Sequence, residues 1–257
     1  MQQGIVIALM GPQGAGKTTF LNSLSARACS QVPLGDSVTT VGGTRVSLQG
    51  RGDVTLVEIP SLDDSSAIVT LSRFLVTYRQ SSFVGAIYFH RIKDTRERKK
   101  DFKLFSQVLT AIPAENTALI TAMPYTDEVR NIEREQELAA LWNEATTRGA
   151  SIGRFSNNSE SAWSIIAQLV VPERLEPSPI REENLFQFLY MMLAKNEEEA
   201  GLLKGLRKIA KTDKDEDLVK QYAKDSKGLL SRRDDLEKLL RTLEGKHAPR
   251  LPFLFRR

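Results

Sequence analysis

The residues with the clearest chemistry lie near the N-terminus, in Gly11-Pro-Gln-Gly-Ala-Gly-Lys-Thr18. Their types and spacing fit the phosphate-loop pattern G-x-x-x-x-G-K-S/T. The glycines let the backbone curl so that successive N–H groups point inward at phosphate oxygens, backed by the positive end of a following helix. In such a loop Lys17 reaches the β- and γ-phosphates and the Thr18 hydroxyl ligates Mg²⁺. A plain glycine turn carrying a stray lysine is the competing reading. The flanks speak against it: Gly4 to Met10 reads as a buried strand, and Phe20, Leu21, Leu24 and Ala28 keep a helical period. Strand, glycine loop and helix in that order are the context the motif requires.

Further candidates follow along the chain. Residues 30–42 are rich in Ser, Thr, Gly and Pro and read as a loop containing Ser37-Val-Thr-Thr40. A threonine between the first helix and the second strand is where G proteins keep a hydroxyl that closes on Mg²⁺ and the γ-phosphate. An ordinary Ser/Thr loop explains the same residues. Two strand-like runs, Thr44 to Leu48 and Val54 to Ile59, are joined by the turn Gly50-Arg-Gly-Asp53 and must be antiparallel neighbours. The second ends in Glu58-Ile-Pro-Ser61-Leu-Asp-Asp64. Glu58 stands where GTPases hold the Mg²⁺ water shell with an aspartate. Ser61 stands where a glycine senses the γ-phosphate; it offers a backbone N–H, but its Cβ limits how closely the loop approaches. Leu62 cannot orient a water as a glutamine does. Asp63 and Asp64 are expected to cap the next helix.

The elements that must position these groups are legible from periodicity. Ile68, Leu71, Leu75 and Tyr78 share one face of a helix from about Ser65 to Arg79. Phe83 to Phe89 is apolar enough for a central parallel strand, and it ends in His90-Arg91-Ile-Lys-Asp94. Strand ends are where α/β sheets bind ligands, so His90 and Arg91 either approach the nucleotide or brace the loop. The run Arg96 to Lys100 reads as a solvated helix start, whose helix buries Phe102, Phe105, Leu109 and Ile112. Thr117 to Thr121 is the next strand, leading into Thr121-Ala-Met-Pro124, where GTPases carry N/T-K-x-D. The aspartate that reads guanine is Pro124 here, and Asp127 can replace it only if the loop folds back. A helix over about Asn131 to Thr147 and a strand over Ala150 to Phe155 precede Asn157 and Asn158. These asparagines either touch the base or make a turn. Ser161 to Val171 closes the domain as a helix.

The expected fold is α/β: a phosphate-loop NTPase three-layer sandwich with a mainly parallel six-stranded sheet, one antiparallel strand and a C-terminal helical extension. Residues 1–172 form the phosphate-loop domain, 173–181 a proline-rich linker, and 182–257 the extension. In the extension a helix carrying Leu185, Leu189, Met192 and Leu193 leads to a region punctuated by Gly201 and Gly205. A second helix, from about Asp215 to Leu243, spaces Tyr222, Leu229, Leu236 and Leu243 seven apart for packing within the chain or across a dimer. The tail Arg250-Leu-Pro-Phe-Leu-Phe-Arg-Arg257 is expected to pack or dock rather than to bind a membrane.

Composition is that of a soluble globular protein of 257 residues: 41% hydrophobic, 26% charged, with one cysteine, Cys29. The net charge of +4 is spread along the chain, unlike the concentrated basic face of a nucleic-acid binder. No basic leader or small-residue cleavage site precedes the glycine loop, so no signal peptide is read and a cytoplasmic location is expected.

Taken in order, GPQGAGKTTF, SVTT, GRGDVTLVEIPSLDD, GAIYFHRIKDTR, TAMPYTDEV and RGASIGRFSNNSESAWSII resemble a known family. It comprises the fungal G-domain proteins related to septins and to the immunity-associated (GIMAP-like) GTPases of the TRAFAC class. Its members read roughly GPTGAGKSTFI, SCTT, GRxVTLIDTPGFDD, GVIYLHRISDxR, TTMWDEV and SAxxII. The resemblance covers about residues 4–171. It implies that Gly11, Gln13, Gly14, Ala15, Gly16, Lys17, Thr18 and Thr19 bind phosphates, that Thr18 and Thr39 serve Mg²⁺, and that Asn157 or Asn158 lies near the base. The ligand implied is GTP or GDP with Mg²⁺, with Lys17 and Thr39 as the catalytic groups and Glu58 completing the metal set. Relatives often dimerise across the nucleotide face. The family's D-T-P-G is E-I-P-S here, and its M-W-D is M-P-Y-T-D. Slow hydrolysis, as part of an assembly switch, is therefore the leading expectation. A non-catalytic interaction module is the alternative, and an ATP-dependent phosphotransferase a third reading.

Overall fold

Ile5–Met10 is apolar at every position, and a strand with no polar side must be covered on both faces. In the computed structural model it is β1, fully buried near the middle of a seven-stranded sheet ordered β2-β3-β4-β1-β5-β6-β7. The model describes residues 4–25, 29–32, 43–48, 52–61, 66–93, 102, 105–122, 127–171 and 180–244. The remaining strands are β2 (Cys29–Val32), β3 (Gly43–Leu48), β4 (Gly52–Glu58), β5 (Phe83–Arg91), β6 (Thr117–Ala122) and β7 (Ser151–Phe155). The helices are α1 (Lys17–Ser25), α2 (Ala67–Tyr78), α3 (Glu128–Thr147), α4 (Ser159–Leu169), α5 (Glu182–Thr212) and α6 (Glu216–Glu244).

β1 runs parallel to β4 and to β5, and β6 and β7 continue the parallel set. β3 is antiparallel to both its neighbours, so it alone runs against the other strands. This is the expected three-layer phosphate-loop fold, with one addition. The segment Cys29–Val32, which the composition reads as the edge of a loop, is a short strand on β3, pairing Cys29 with Val46 and Val32 with Gly43. Four residues are too few to show a period. What makes them a strand is the unpaired backbone edge of β3.

Two apolar layers sandwich the sheet. Ile5, Ile7 and Leu9 join α1 and α4 through Phe20, Leu24, Ile165 and Ile166. Val6, Ala8 and Met10 join α2, α3 and Phe105 on the other face. Phe20 is fully buried, edge-on to both Phe89 and Phe155 at 5.0 and 5.3 Å between ring centres. This aromatic cluster lies directly beneath the glycine loop and fixes α1 to β5 and β7.

The C-terminal helices share the second layer. Leu185, Phe188, Leu189 and Met192 of α5 and Leu236, Leu240 and Leu243 of α6 pack with Ile68, Leu71 and Phe74 of α2. Arg73 of α2 donates to Asp235 of α6 at 2.9 Å. Leu229, Leu236 and Leu243 of the seven-residue seam are buried and Tyr222 is half-buried, the seam facing α5 within the chain. α5 runs unbroken through Gly201 and Gly205, although both glycines read as punctuation. A Cβ at either position would meet nothing within 4 Å, and Glu, Leu, Lys and Arg around them are strong helix formers. Among the described residues no helix is long and apolar enough to cross a membrane.

Candidate functional site

The glycine loop leaves β1 at the C-terminal edge of the sheet and enters α1, the position at which α/β sheets bind ligands. Gly11, Gly14 and Gly16 adopt φ of +138°, +71° and +97°. These left-handed values curl the chain into a nest of N–H groups. Ala15 N donates to Pro12 O at 3.2 Å and Phe20 N to Gly16 O at 2.8 Å, so the turn passes directly into the helix. Lys17 is 6% exposed, and its Nζ donates to Gly11 O at 2.9 Å and Pro12 O at 3.1 Å. The ammonium is thus strapped across its own loop. Gln13, Thr18 and Thr19 are exposed on the rim, whereas Ala15 is buried beneath it.

Thr18 and Glu58 come together from opposite sides of the β1–β4 pair. The Thr18 hydroxyl donates to Glu58, 3.1 and 3.2 Å from its two carboxylate oxygens. Leu9 lies opposite Glu58 in register, and Ile59 N donates to Leu9 O at 2.9 Å, which holds the end of β4 beside the loop. The extra methylene of glutamate therefore reaches the hydroxyl. A hydroxyl and a carboxylate are hard oxygen donors of the kind Mg²⁺ takes. Among the described residues no group of three or more His, Cys, Asp or Glu could hold a metal. Ser61 is half-buried just past β4. Thr39 and the rest of 37–40 lie outside the described residues, as do Leu62, Asp63, Asp64, the run 96–100, Pro124, 173–179 of the linker and the tail.

On the other flank, the side chain of Asp127 accepts from Val129 N at 3.0 Å and caps α3. That local bond explains Asp127 without any fold-back toward a base. Asn158 likewise caps α4, accepting from Ser161 N at 2.8 Å, and Asn157 is an exposed residue at φ 56°. Asn158 is thus a cap, and Asn157 is exposed beside it at the end of β7. His90 is buried on the opposite face from α1, edge-on to Trp142 at 6.2 Å between ring centres. It braces the core, while Arg91 turns toward the loop: its Nη1 lies 3.6 Å from where a Cβ on Gly14 would sit.

A polar network at the end of β6 was not read from the sequence. Thr121 Oγ1 donates to Glu135 at 2.7 Å; Arg154 donates to both Glu135 oxygens at 2.7 and 2.6 Å and to Glu128 at 2.5 Å. Glu128 and Glu135 are seven apart, two helical turns, which is the signal that places both on one face of α3. Burial by itself would raise the Glu135 carboxyl, but hydrogen bonds from Arg154 and Thr121 outweigh it and hold the group below the usual carboxylate range. A lowered folded value gives stability that is present above the ordinary carboxylate pKa and lost as pH falls through the folded one. Glu135→Gln should therefore cost on the order of 1–2 kcal/mol near neutral pH and flatten the decline in stability between about pH 5 and 3. Urea melts of both proteins across that range check it.

A glycine nest leaving a central parallel strand, with β5, β6 and β7 on one side and β4 and an antiparallel β3 on the other, defines the phosphate-loop GTPase type of α/β fold. No family model and no curated protein matches the chain. Among solved structures it overlaps a bacterial selenocysteine-specific elongation factor, EF-Sec, with TM-score 0.47 and 14% identity, over 65% of this chain and 28% of that one. The elongation factor SelB from Methanococcus maripaludis, in complex with the GTP analogue GppNHp, gives 0.44 and 16% over 65% and 34%. The G domain of the T. maritima FeoB iron transporter gives 0.45 and 14% over 72% and 99%. The chain spans about a third of the length of those elongation factors. These are partial likenesses in chain path; the strand order and loop carry the fold class on their own.

Proposed function

We propose that this chain is a guanine-nucleotide-binding protein of the septin and immunity-associated type, taking GTP or GDP with Mg²⁺ and hydrolysing GTP slowly. The observation that carries the reading is the loop itself: three left-handed glycines with the Lys17 ammonium strapped across them. In this reading residues 11–19 hold the phosphates, Thr18 and Thr39 take the metal, and Glu58 orders its water shell. Ser61 N–H faces the γ-phosphate and Asn157 borders the base. Mg²⁺, when bound, neutralises charge on the β- and γ-phosphate oxygens. Lys17 adds a fixed cation at the same oxygens, so that water attack on the γ-phosphate proceeds without a side-chain base. The protein is cytoplasmic, with 1–172 as the nucleotide domain and 182–257 as the helical extension. It forms a homodimer through the nucleotide face or the C-terminal helices, and no nucleic acid is bound.

Calorimetric titration with GTP and with ATP, each with Mg²⁺, tests the reading. Micromolar GTP affinity with weak ATP binding is the expected result; equal affinities would remove the guanine claim, and no binding would remove the whole.

The Thr18–Glu58 bond favours a second reading, that of a nucleotide-stabilised interaction module without turnover, because the metal-binding hydroxyl is already engaged by a carboxylate. The two readings part on one variant. Glu58→Asp combined with Ser61→Gly shortens the carboxylate and frees the loop. It should raise single-turnover GTP hydrolysis at least tenfold if slow chemistry is a matter of geometry. Unchanged turnover with intact GTP binding would favour the module.

A further inference from the structure

Arg91 closes β5 at the same edge of the sheet as the glycine loop. Side chains alternate along this strand. Tyr88 and His90 go to the face of α2 and α3, where Tyr88 packs on Phe105 and His90 on Trp142. Phe89 goes to the face of α1, against Phe20 and Phe155. Arg91 shares the parity of Phe89 and so lies on the α1 face. There its guanidinium approaches Gly14, which is at φ +71° in the middle of the loop. In register Arg91 stands opposite Ala122 of β6. Ala122 is the second residue of Thr121-Ala-Met-Pro124, the lysine position of N/T-K-x-D, and its methyl lies 3.5 Å from the Cβ position of Gly16. Among the described residues of this flank, β6 brings the Ala122 methyl to the loop and β5 brings the Arg91 guanidinium.

We propose that Arg91 is a nucleotide-binding residue, donating to the diphosphate–ribose portion of a nucleotide seated in the glycine loop; the inference rests on the nucleotide-binding reading above. The sheet order fixes which part of the nucleotide it meets. Thr18 and Glu58 mark the metal side, toward β4, whereas Arg91 approaches from β5, on the far side of β1. Two cations, Lys17 and Arg91, thus converge on one short loop of N–H donors. Such a loop is completed by a polyanion, and a planar guanidinium suits forked donation to phosphate or ribose oxygens.

The test is calorimetric titration of GDP and of GTP, with Mg²⁺, into wild type, R91A, R91Q and R91K. R91A and R91Q should weaken GDP and GTP by the same factor, about 10- to 100-fold, with R91K in between. Melting of the nucleotide-free proteins identifies any misfolded variant; R91Q, of similar length without charge, decides the matter if R91A fails to fold. Unchanged affinity in R91Q, or a loss confined to GTP, overturns the inference while leaving the function standing. Absence of binding by wild type, measured first, overturns the function itself.

Discussion

Lys17→Ala is expected to weaken GTP binding by roughly 30- to several thousand-fold and to leave the nucleotide-free fold intact. Lys17 is 6% exposed, and its ammonium donates to Gly11 O and Pro12 O within its own loop. Removing the lysine leaves those two carbonyls, on buried Gly11 and Pro12, without this donor, a cost of about 1–3 kcal/mol that a fold built on two apolar layers withstands. The bound state loses a desolvated charge facing phosphate. Truncating one partner of such a buried pair costs about 2–5 kcal/mol or more, which is roughly 30- to several thousand-fold. The measurement is thermal melting with and without excess GTP and Mg²⁺. Wild type gains about 2.7 kcal/mol when ligand stands at 100 times its Kd; the variant should gain less than about 1 kcal/mol at the same concentration. A variant that melts as wild type does in both conditions would show that Lys17 contributes to neither the fold nor nucleotide binding. A variant that melts far lower without nucleotide would assign the lysine to folding instead.

The loop was legible in the sequence because its chemistry is local: eight consecutive residues carry the motif, and its flanking periods carry the context. The same holds for the central strands, where burial on both faces forces an unbroken apolar run, as in Ile5–Met10 and Phe83 to Phe89. What was not legible depends on partners distant in sequence. Cys29–Val32 is a strand only because β3 presents an open edge. α5 passes through Gly201 and Gly205 because the helix formers around them and the tertiary contacts of Leu185 to Met192 outweigh two glycines. The Thr121–Glu135–Arg154–Glu128 network joins a strand end, a helix and the next strand, three elements that no local pattern connects. In the sequence His90 and Arg91 share two readings; strand alternation separates them, one into the core and one onto the loop. For Asp127 and Asn158 the nearest backbone N–H groups decided: each caps its own helix.

Gly11→Ala should be the most damaging single-methyl change to the fold in this region, destabilising the nucleotide-free protein by about 3 kcal/mol or more. A Cβ on Gly11 would sit 2.3 Å from Phe89 O, and the residue holds φ +138°, where L side chains are strained. Backbone strain of this kind costs on the order of 1–3 kcal/mol, and overpacking adds a similar amount. Relief by movement is blocked, because Phe89 belongs to β5, whose register with β1 and β6 is fixed on both sides. Phe89 is also clamped by Phe20 and Phe155. Gly14→Ala provides the contrast: at φ +71° it is strained, but its nearest neighbour is the Arg91 side chain at 3.6 Å, which can move aside. Its cost should stay near 1 kcal/mol. At about 2–4 °C per kcal/mol for a chain of this size, Gly11→Ala should melt roughly 6–12 °C below wild type and Gly14→Ala only a few degrees below it. Equal melting temperatures for the two would mean that β1 and β5 can separate at the loop, and the rigid floor assigned to the phosphate site would be lost. The expected split, with Gly11 serving the sheet and Lys17 the ligand, separates the part of the motif that builds the loop from the part that uses it.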